Sequence, residues 1–322
     1  MEGKMMLTTG NTTGLSSPWK GMRFVMAALG MLICAQPAPA AGQKMFPACE
    51  DAVNALIQAF RDQNRDELLT IFGKKSEALI YSGDEVADRQ VVQKFLDYYD
   101  EQHKLIQDKG SYELVIGKDE WPFPIPLIER KGKFLFDTDR GMEEILNRRI
   151  GRNELDTIQV MHAIVDAQRE YAMKDRDGDG LLEYAQKFWS DPGGKNGLYW
   201  ETEAGEEPSP LGPLVTSAGQ AGYARAEAGG EPKPYHGYFF KILTRQDATR
   251  AGGTYDYLVN GNMLGGFAVL AYPAAYGNSG VMSFLVNHLG VVYQKDLGKR
   301  TEKAAKAIVS FNPDKTWDEV KP

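Results

Sequence analysis

"GRNELDTIQVMHAIVDAQREYAMKDRDGDGLLEYA", Gly151 to Ala185, carries two patterns around which the rest of the chain can be ordered. The first predicts a long helix. Leu155, Ile158, Met161, Val165 and Ala172 recur at helical intervals and form one apolar stripe. Asn153 is placed to cap its start, and Gly151 just before it predicts that one helix ends there and another begins. His162 lies beside the stripe and reads as a packed or surface residue. The second pattern is acidic. Asp175, Asp177 and Asp179 alternate, and Gly180 and Glu183 follow. A calcium loop of the EF-hand type takes oxygen ligands at its first, third, fifth, seventh, ninth and twelfth positions, with glycine at the sixth. Asp175, Asp177 and Asp179 fill the first, third and fifth, and Gly180 fills the sixth. Leu181 offers a carbonyl at the seventh, and Glu183 sits at the ninth. Gln186 stands where the bidentate glutamate belongs. Two readings stay open. One is a weak calcium site. The other is a helix-terminating turn, which aspartate and glycine favour in any case. Mutual repulsion among four carboxylates speaks for the first.

Before this stretch the chain reads helix, helix, helix, then strands. "EDAVNALIQAF" places Val53, Leu56, Ile57 and Phe60 on one face, and "DELLTIF" is a short second helix. "RQVVQKFLDYYDEQHKLI" carries Val92, Phe95, Leu96 and Tyr99 at helical spacing. "SYELVIG", "FPIPLIER" and "GKFLFDTD" read as strands, the last two joined by a hairpin turn at Lys131–Gly132–Lys133. Pro124 and Pro126 place the start of the middle strand at an edge or bulge. Helices followed by a curved antiparallel sheet resemble nuclear-transport-factor-2-like domains, by fold-level analogy.

After the acidic stretch, residues 190–234 are rich in Gly, Pro, Ser and Glu and read as loop, although Leu198, Tyr199, Trp200 and Leu214 imply packing on a core. Five strand signals follow, "YHGYFFKIL", "TYDYLVNG", "GGFAVLAYP", "GVMSFLVN" and "GVVYQKDLG", with "NHLG" at Asn287–Gly290 as a hairpin connection. "KRTEKAAKAIVSF" predicts a closing amphipathic helix. The fold class is therefore α+β, since helices and strands come in runs rather than in alternation. The expected division is a leader over 1–41, an α+β domain over 42–150 and a second over 151–322.

The N-terminus bears on compartment. Lys20 and Arg23 precede the apolar run Phe24–Ala35, and Ala38 and Ala40 form a small-residue site. That is the pattern of a secretory signal peptide, with cleavage near Ala40 and Met22 as an alternative start. The run is too short to span a bilayer, and no second stretch approaches that length, so the mature chain is expected to be periplasmic or secreted, without a membrane span. Removing the leader takes Cys34 with it and leaves Cys49 as a lone thiol. The leader holds Lys4, Lys20 and Arg23 against Glu2, so a net charge of −7 for the whole chain becomes about −9 without it. Such an acidic protein is not expected to bind nucleic acid or anionic lipid.

The chain resembles the bacterial secreted family catalogued as domain of unknown function 2950. The residues that carry the likeness include "WPFPIPLIERKGKFLFDTDRG", "EEILNRRIGRNEL", "DGDGLLEYAQKF", "SPLGPLV", "YHGYFFKILTRQ", "GGFAVLAYPAAYG", "GVMSFLVNHLGVVYQKDLG" and "FNPDKTW". The resemblance implies an exported protein of one architecture and carries no activity with it. The second half, with its long helix, "DGDGLLEY" turn and "SFLVNHLGVVY" hairpin, also resembles the globular heads of type IV pilins and pseudopilins.

Little in the sequence points to catalysis. His103, His162, His236 and His288 share no metal-ligand spacing, and no phosphate-binding glycine loop is present. His236, Asp256 and Ser279 occur in a protease-like order, but "GNSG" at Gly277–Gly280 reads more simply as a turn into a strand. Arg148, Arg149 and Arg152 are expected to pair with Glu143, Glu144 or the acidic loop. The expected function is a non-enzymatic envelope module that binds an envelope protein or polymer or serves a structural role, with calcium as its one candidate cofactor. The alternative is an envelope hydrolase acting on a glycan or peptide, with Glu183 paired to Glu201 or Asp256.

Overall fold

A computed structural model describes residues 42–203, 205–223, 233–247 and 254–321. The expected leader and its cleavage site lie outside them. Among the described residues no helix is long and apolar enough to cross a membrane. The architecture is α+β, as the element order predicts, and it is organised around two hydrophobic cores.

The first core begins with α1 (Cys49–Arg61), whose Val53, Leu56 and Ile57 are buried on one face. It continues through α2 (Arg65–Phe72), a 3-10 turn at Lys74–Ser76, α3 (Glu77–Ile80) and α4 (Glu85–Glu101). These cover an antiparallel sheet of β1 (His103–Asp108), β2 (Ser111–Ile116), β3 (Trp121–Pro122), β4 (Leu127–Arg130) and β5 (Lys133–Phe136). The order is β1-β2-β4-β5, with β3 also on β2. The helical pattern read through Ile106 stops at Glu101, and "HKLI" belongs to β1. The tight Lys109–Gly110 turn folds this segment back on β2, and the ladder bonds gained there outweigh a helix extension with little left to bury. The hairpin turn forms at Lys131 and Gly132, both with positive φ, and Lys133 is already the first residue of β5.

Cys49 opens α1 and is a buried free thiol. Burial, with Glu50 and Glu129 adding to it, pushes the thiol up to about 11 from an ordinary 9.0. The folded state therefore favours the neutral thiol. That contribution to stability is full below the unfolded value of 9.0 and is lost as the pH rises towards about 11. Cys49→Ser is expected to flatten this alkaline slope in denaturant melts, and the native chain to resist thiol reagents and to form no disulfide-linked dimer on denaturing gels without reductant. Rapid alkylation of the native protein contradicts this.

The main departure from the sequence reading is α5 (Thr138–Tyr171), a single unbroken helix of 34 residues. No break occurs at Gly151, and Asn153 is not a cap. It is a buried mid-helix residue whose Nδ2 donates to the Ser279 carbonyl at 2.9 Å. The buried stripe is also rotated from the one read. Thr157, Val160, Met161, Ile164, Val165, Gln168 and Tyr171 face the core, whereas Leu155 is 64% exposed. The start of α5 packs with the first core through Gly141 and Ile145, and its later turns line the second. His162 is exposed. Gly151 is helical, with nothing within 4 Å of where a Cβ would stand. Gly151→Ala is therefore expected to stabilise the fold by about 0.5–1 kcal/mol, measured as a raised denaturation midpoint. A loss of stability would mean that the helix breaks there after all.

The second core continues with α6 (Gly212–Gln220) inside the stretch read as loop, entered through Pro213. Then come β6 (Tyr238–Leu243), β7 (Arg245–Gln246), β8 (Tyr255–Asp256), β9 (Leu258–Val259), β10 (Asn262–Met263), β11 (Ala268–Pro273), β12 (Met282–Asn287), β13 (Tyr293–Asp296), α7 (Thr301–Ala307) and β14 (Asp318–Glu319). The main sheet is antiparallel with order β14-β13-β12-β11-β6, while β7 pairs β8 and β9 pairs β10. The "NHLG" connection is present, with the Gly290 N–H donating to the Asn287 carbonyl at 2.8 Å. The closing helix is shorter than its pattern, because Ile308 is already extended.

Polar bonds join the two cores. Asp84, 2% exposed, caps α4 by accepting from the Val86 and Ala87 N–H groups with Oδ1. Its Oδ2 accepts from the Tyr223 hydroxyl at 2.8 Å and the Gly237 N–H at 2.9 Å. Arg149 on α5 donates to the carbonyls of Ala78 and Leu79 and to the side chain of Asn278, which in turn donates to the Tyr81 carbonyl. Of the expected arginine pairings, Arg148 does take Glu144, but Arg149 is spent on this junction. Nearby, burial raises the Asp88 carboxyl, which accepts from the Ser82 N–H.

Candidate functional site

The acidic loop is held at both ends before any ligand is considered. On the helix side, the fully buried Gln168 donates to the Ala185 carbonyl at 2.8 Å and accepts from the Ala185 N–H at 2.9 Å. One amide thereby closes the segment between Tyr171 and Ala185. On the sheet side, the loop leans on the β9–β10 hairpin. The Tyr184 N–H donates to the Met263 carbonyl, the Met263 N–H donates to Glu183 Oε2 at 3.0 Å, and Asn262 Nδ2 donates to Asp179 Oδ2 at 2.8 Å.

Within this frame three of the four predicted acids come together. Asp175, Asp177 and Asp179 each present an oxygen within 4.8 Å of the others, and all three are exposed. Asp175 accepts from the Gly178 N–H at 2.7 Å and the Gly180 N–H at 2.9 Å, which holds its carboxyl below the usual range. Asp179 Oδ1 accepts from the Leu181 N–H at 2.8 Å. These bonds use one lone pair of each oxygen and leave others for a cation. Glu183 stands apart from this close group. Burial, more than the field of the three aspartates, raises its carboxyl, and the Met263 N–H opposes the rise. The Leu181 and Leu182 side chains are exposed. Gln186, at the twelfth position, donates its amide to the Gly261 carbonyl and lines the cavity beside the loop.

Beside the loop lies an open cavity of about 270 Å³ whose lining includes Tyr171, Asp177, Glu183, Lys187, Asn196 and Asn262. It gathers acid, base and amide groups in one place, and sequence reasoning missed it because Asn196 and Asn262 come from segments that share no local pattern with the helix. The acids considered as partners of Glu183 do not line it: Asp256 caps the Leu258 N–H, and Glu201 is exposed elsewhere. The protease-like trio does not assemble. The Ser279 hydroxyl is buried in its turn, accepting from the Ala275 N–H and donating to the Ala275 carbonyl. His236 faces Asp156, with Nδ1 to Oδ2 at 3.3 Å, rather than Asp256.

No curated protein and no solved structure matches the chain, so the likenesses to nuclear-transport-factor-2-like domains and pilin heads carry no further weight. A family model does match, over residues 43–320, which takes in both cores, the shared helix and the acidic loop; the chain belongs to the family described as "Protein of unknown function (DUF2950)".

Proposed function

We propose that the protein is an exported, non-enzymatic module of the cell envelope that binds a protein or polymer partner there, with calcium at the acidic loop as a structural stabiliser. The observation that carries this reading is the close approach of Asp175, Asp177 and Asp179 on a loop clamped by Gln168 and by β9–β10. Three carboxylates at that separation repel, and a divalent cation relieves the repulsion. The donor set is all oxygen and suits a hard cation. Glu183 and the Leu181 carbonyl are the further ligands expected from the sequence, and Glu183 lies outside the close group of three. Each acid also has a scaffolding bond to backbone or amide N–H, which favours a structural role over a catalytic one.

Because Gln186 replaces the bidentate acid, the dissociation constant is expected at about 0.1–1 mM, the range of extracellular modules. At roughly 1 mM free calcium, mass action then stabilises the fold by about 0.4–1.4 kcal/mol, a rise of a few degrees in melting temperature. Thermal melts with millimolar calcium and with excess chelator measure this, and Asp177→Asn combined with Asp179→Asn should abolish the difference. Equal responses of the native and substituted proteins reduce the loop to a turn.

A second reading, a hydrolase of envelope glycan or peptide, is favoured by one observation. Glu183, with its raised carboxyl, shares a polar cavity with Asp177, the pairing a general acid and a second carboxylate require. Release of soluble fragments from envelope material by the native protein, lost in Glu183→Gln, supports that reading, and no release supports the binding module.

A further inference from the structure

The open edge of the first sheet has features that select its own copy as partner. β1 pairs with β2 on one side and with nothing else among the described residues. The hairpin closes through Lys109 (φ 45) and Gly110 (φ 87), with Asp108 opposite Ser111. A two-residue loop of this kind closes on a hydrogen-bonded pair. The same parity holds at the far end, where the Gly117 N–H donates to the Gln102 carbonyl at 2.8 Å. Lys104, Ile106 and Asp108 therefore spend their backbone groups on β2. Leu105 and Gln107 point theirs outward, where no group among the described residues takes them.

We infer that two copies of the chain associate by antiparallel pairing of β1 with β1 about a two-fold axis through Ile106. In that register Leu105 of one copy and Gln107 of the other exchange backbone bonds, using the groups that point outward. Lys104 then stands opposite Asp108 of the second copy, and Ile106 opposite Ile106. These are non-hydrogen-bonded positions, where facing side chains come closest. The strand is thus self-complementary: two Lys–Asp pairs flank an apolar contact made by a residue that is 38% exposed in the single chain. Lys104 already touches Glu120 within its own chain, on the surface, and can keep that contact alongside the new one. The opposite edge of the sheet is occupied, since Phe46 and Phe134 exchange both backbone bonds, at 2.7 and 2.8 Å. Pairing on this sheet consequently stops at two copies and does not grow into a fibre.

A six-residue edge buries little area, so the dimer is weak, with a dissociation constant on the order of 10–100 µM. Sedimentation velocity of the full chain from about 1 to 500 µM is expected to show a monomer passing to a dimer. Asp108→Lys sets lysine against lysine at both flanks and should weaken association by about tenfold or more. Lys104→Asp combined with Asp108→Lys exchanges the charges and should restore it to within about threefold of the native value. Hydrogen exchange of the native protein gives a readout that needs no variant, because the Leu105 and Gln107 amides should slow as concentration rises. A chain that stays monomeric throughout, a dimer indifferent to Asp108→Lys, or Leu105 and Gln107 amides that exchange equally fast at both concentrations overturns the inference. Circular dichroism checks that both variants fold. If the charge-exchanged chain does not fold, the amide exchange of the native protein decides.

Discussion

Replacing Asp84 with alanine is expected to lower the unfolding free energy by about 3–5 kcal/mol, since a helix cap is lost and buried donors are left without an acceptor. Its carboxylate accepts from four donors: the Val86 and Ala87 N–H groups, the Tyr223 hydroxyl and the Gly237 N–H. The first two start a helix of the first core, and the last two belong to the second. Alanine leaves all four without an acceptor, in a site that is 2% exposed. A lost cap alone accounts for about 1 kcal/mol, and each stranded buried donor adds about 1–3 kcal/mol less whatever water recovers. Tyr223→Phe removes one donor together with its need for an acceptor and should cost only about 1 kcal/mol. Urea melts of the three proteins test the ranking, and an Asp84→Ala loss no greater than that of Tyr223→Phe would show that the junction is not the anchor described here.

Gly141→Ala is the second large effect, expected at about 2–4 kcal/mol of destabilisation. On helix propensity alone the change should help by about 1 kcal/mol. The structure reverses the sign, because a Cβ on Gly141 would stand 2.6 Å from the Pro124 carbonyl oxygen and 2.8 Å from the Ile125 Cα. Neither atom is the end of a flexible side chain, so the first turn of α5 must lift off the segment leading into β4. The contrast with Gly151→Ala, ten residues along the same helix, makes the comparison sharp. One glycine is a contact and the other is open space. Equal responses to the two substitutions would contradict the placement of α5.

The same helix shows which parts of the fold could be read locally. Val53, Leu56 and Ile57 were legible because a helix writes its buried face into its own spacing. Lys131–Gly132 and Asn287–Gly290 were legible because turn chemistry is local too. Asn153 and Gly151 carry the same local signals for a helix start, yet both are helix interior. Asn153 has a carbonyl to bond 126 residues away, and that tertiary contact overrides the local preference. Arg149 reads as one of three arginines paired with nearby acids until the carbonyls of Ala78 and Leu79 come within reach. At the acidic loop, the three alternating aspartates were visible as a group. The clamp that fixes them was not, because Gln168 looks like any polar helix residue until Ala185 folds back on it.

Asp84 also imposes an order of assembly on a chain made from its N-terminus. Its two local donors are available as soon as α4 forms, but the Gly237 N–H arrives 153 residues later. At roughly 5–20 residues per second that is a delay of about 8–30 s. Through this interval the first core can collapse, but its loop between α3 and α4 carries a carboxylate that water must still solvate. The half-made protein is therefore held open at the very surface that the second half will close. A chain arrested before Tyr223 should show an exposed, protease-sensitive 81–88 segment beside an otherwise protected α1–α2 pair, so that the first core matures only when synthesis of the second is nearly complete.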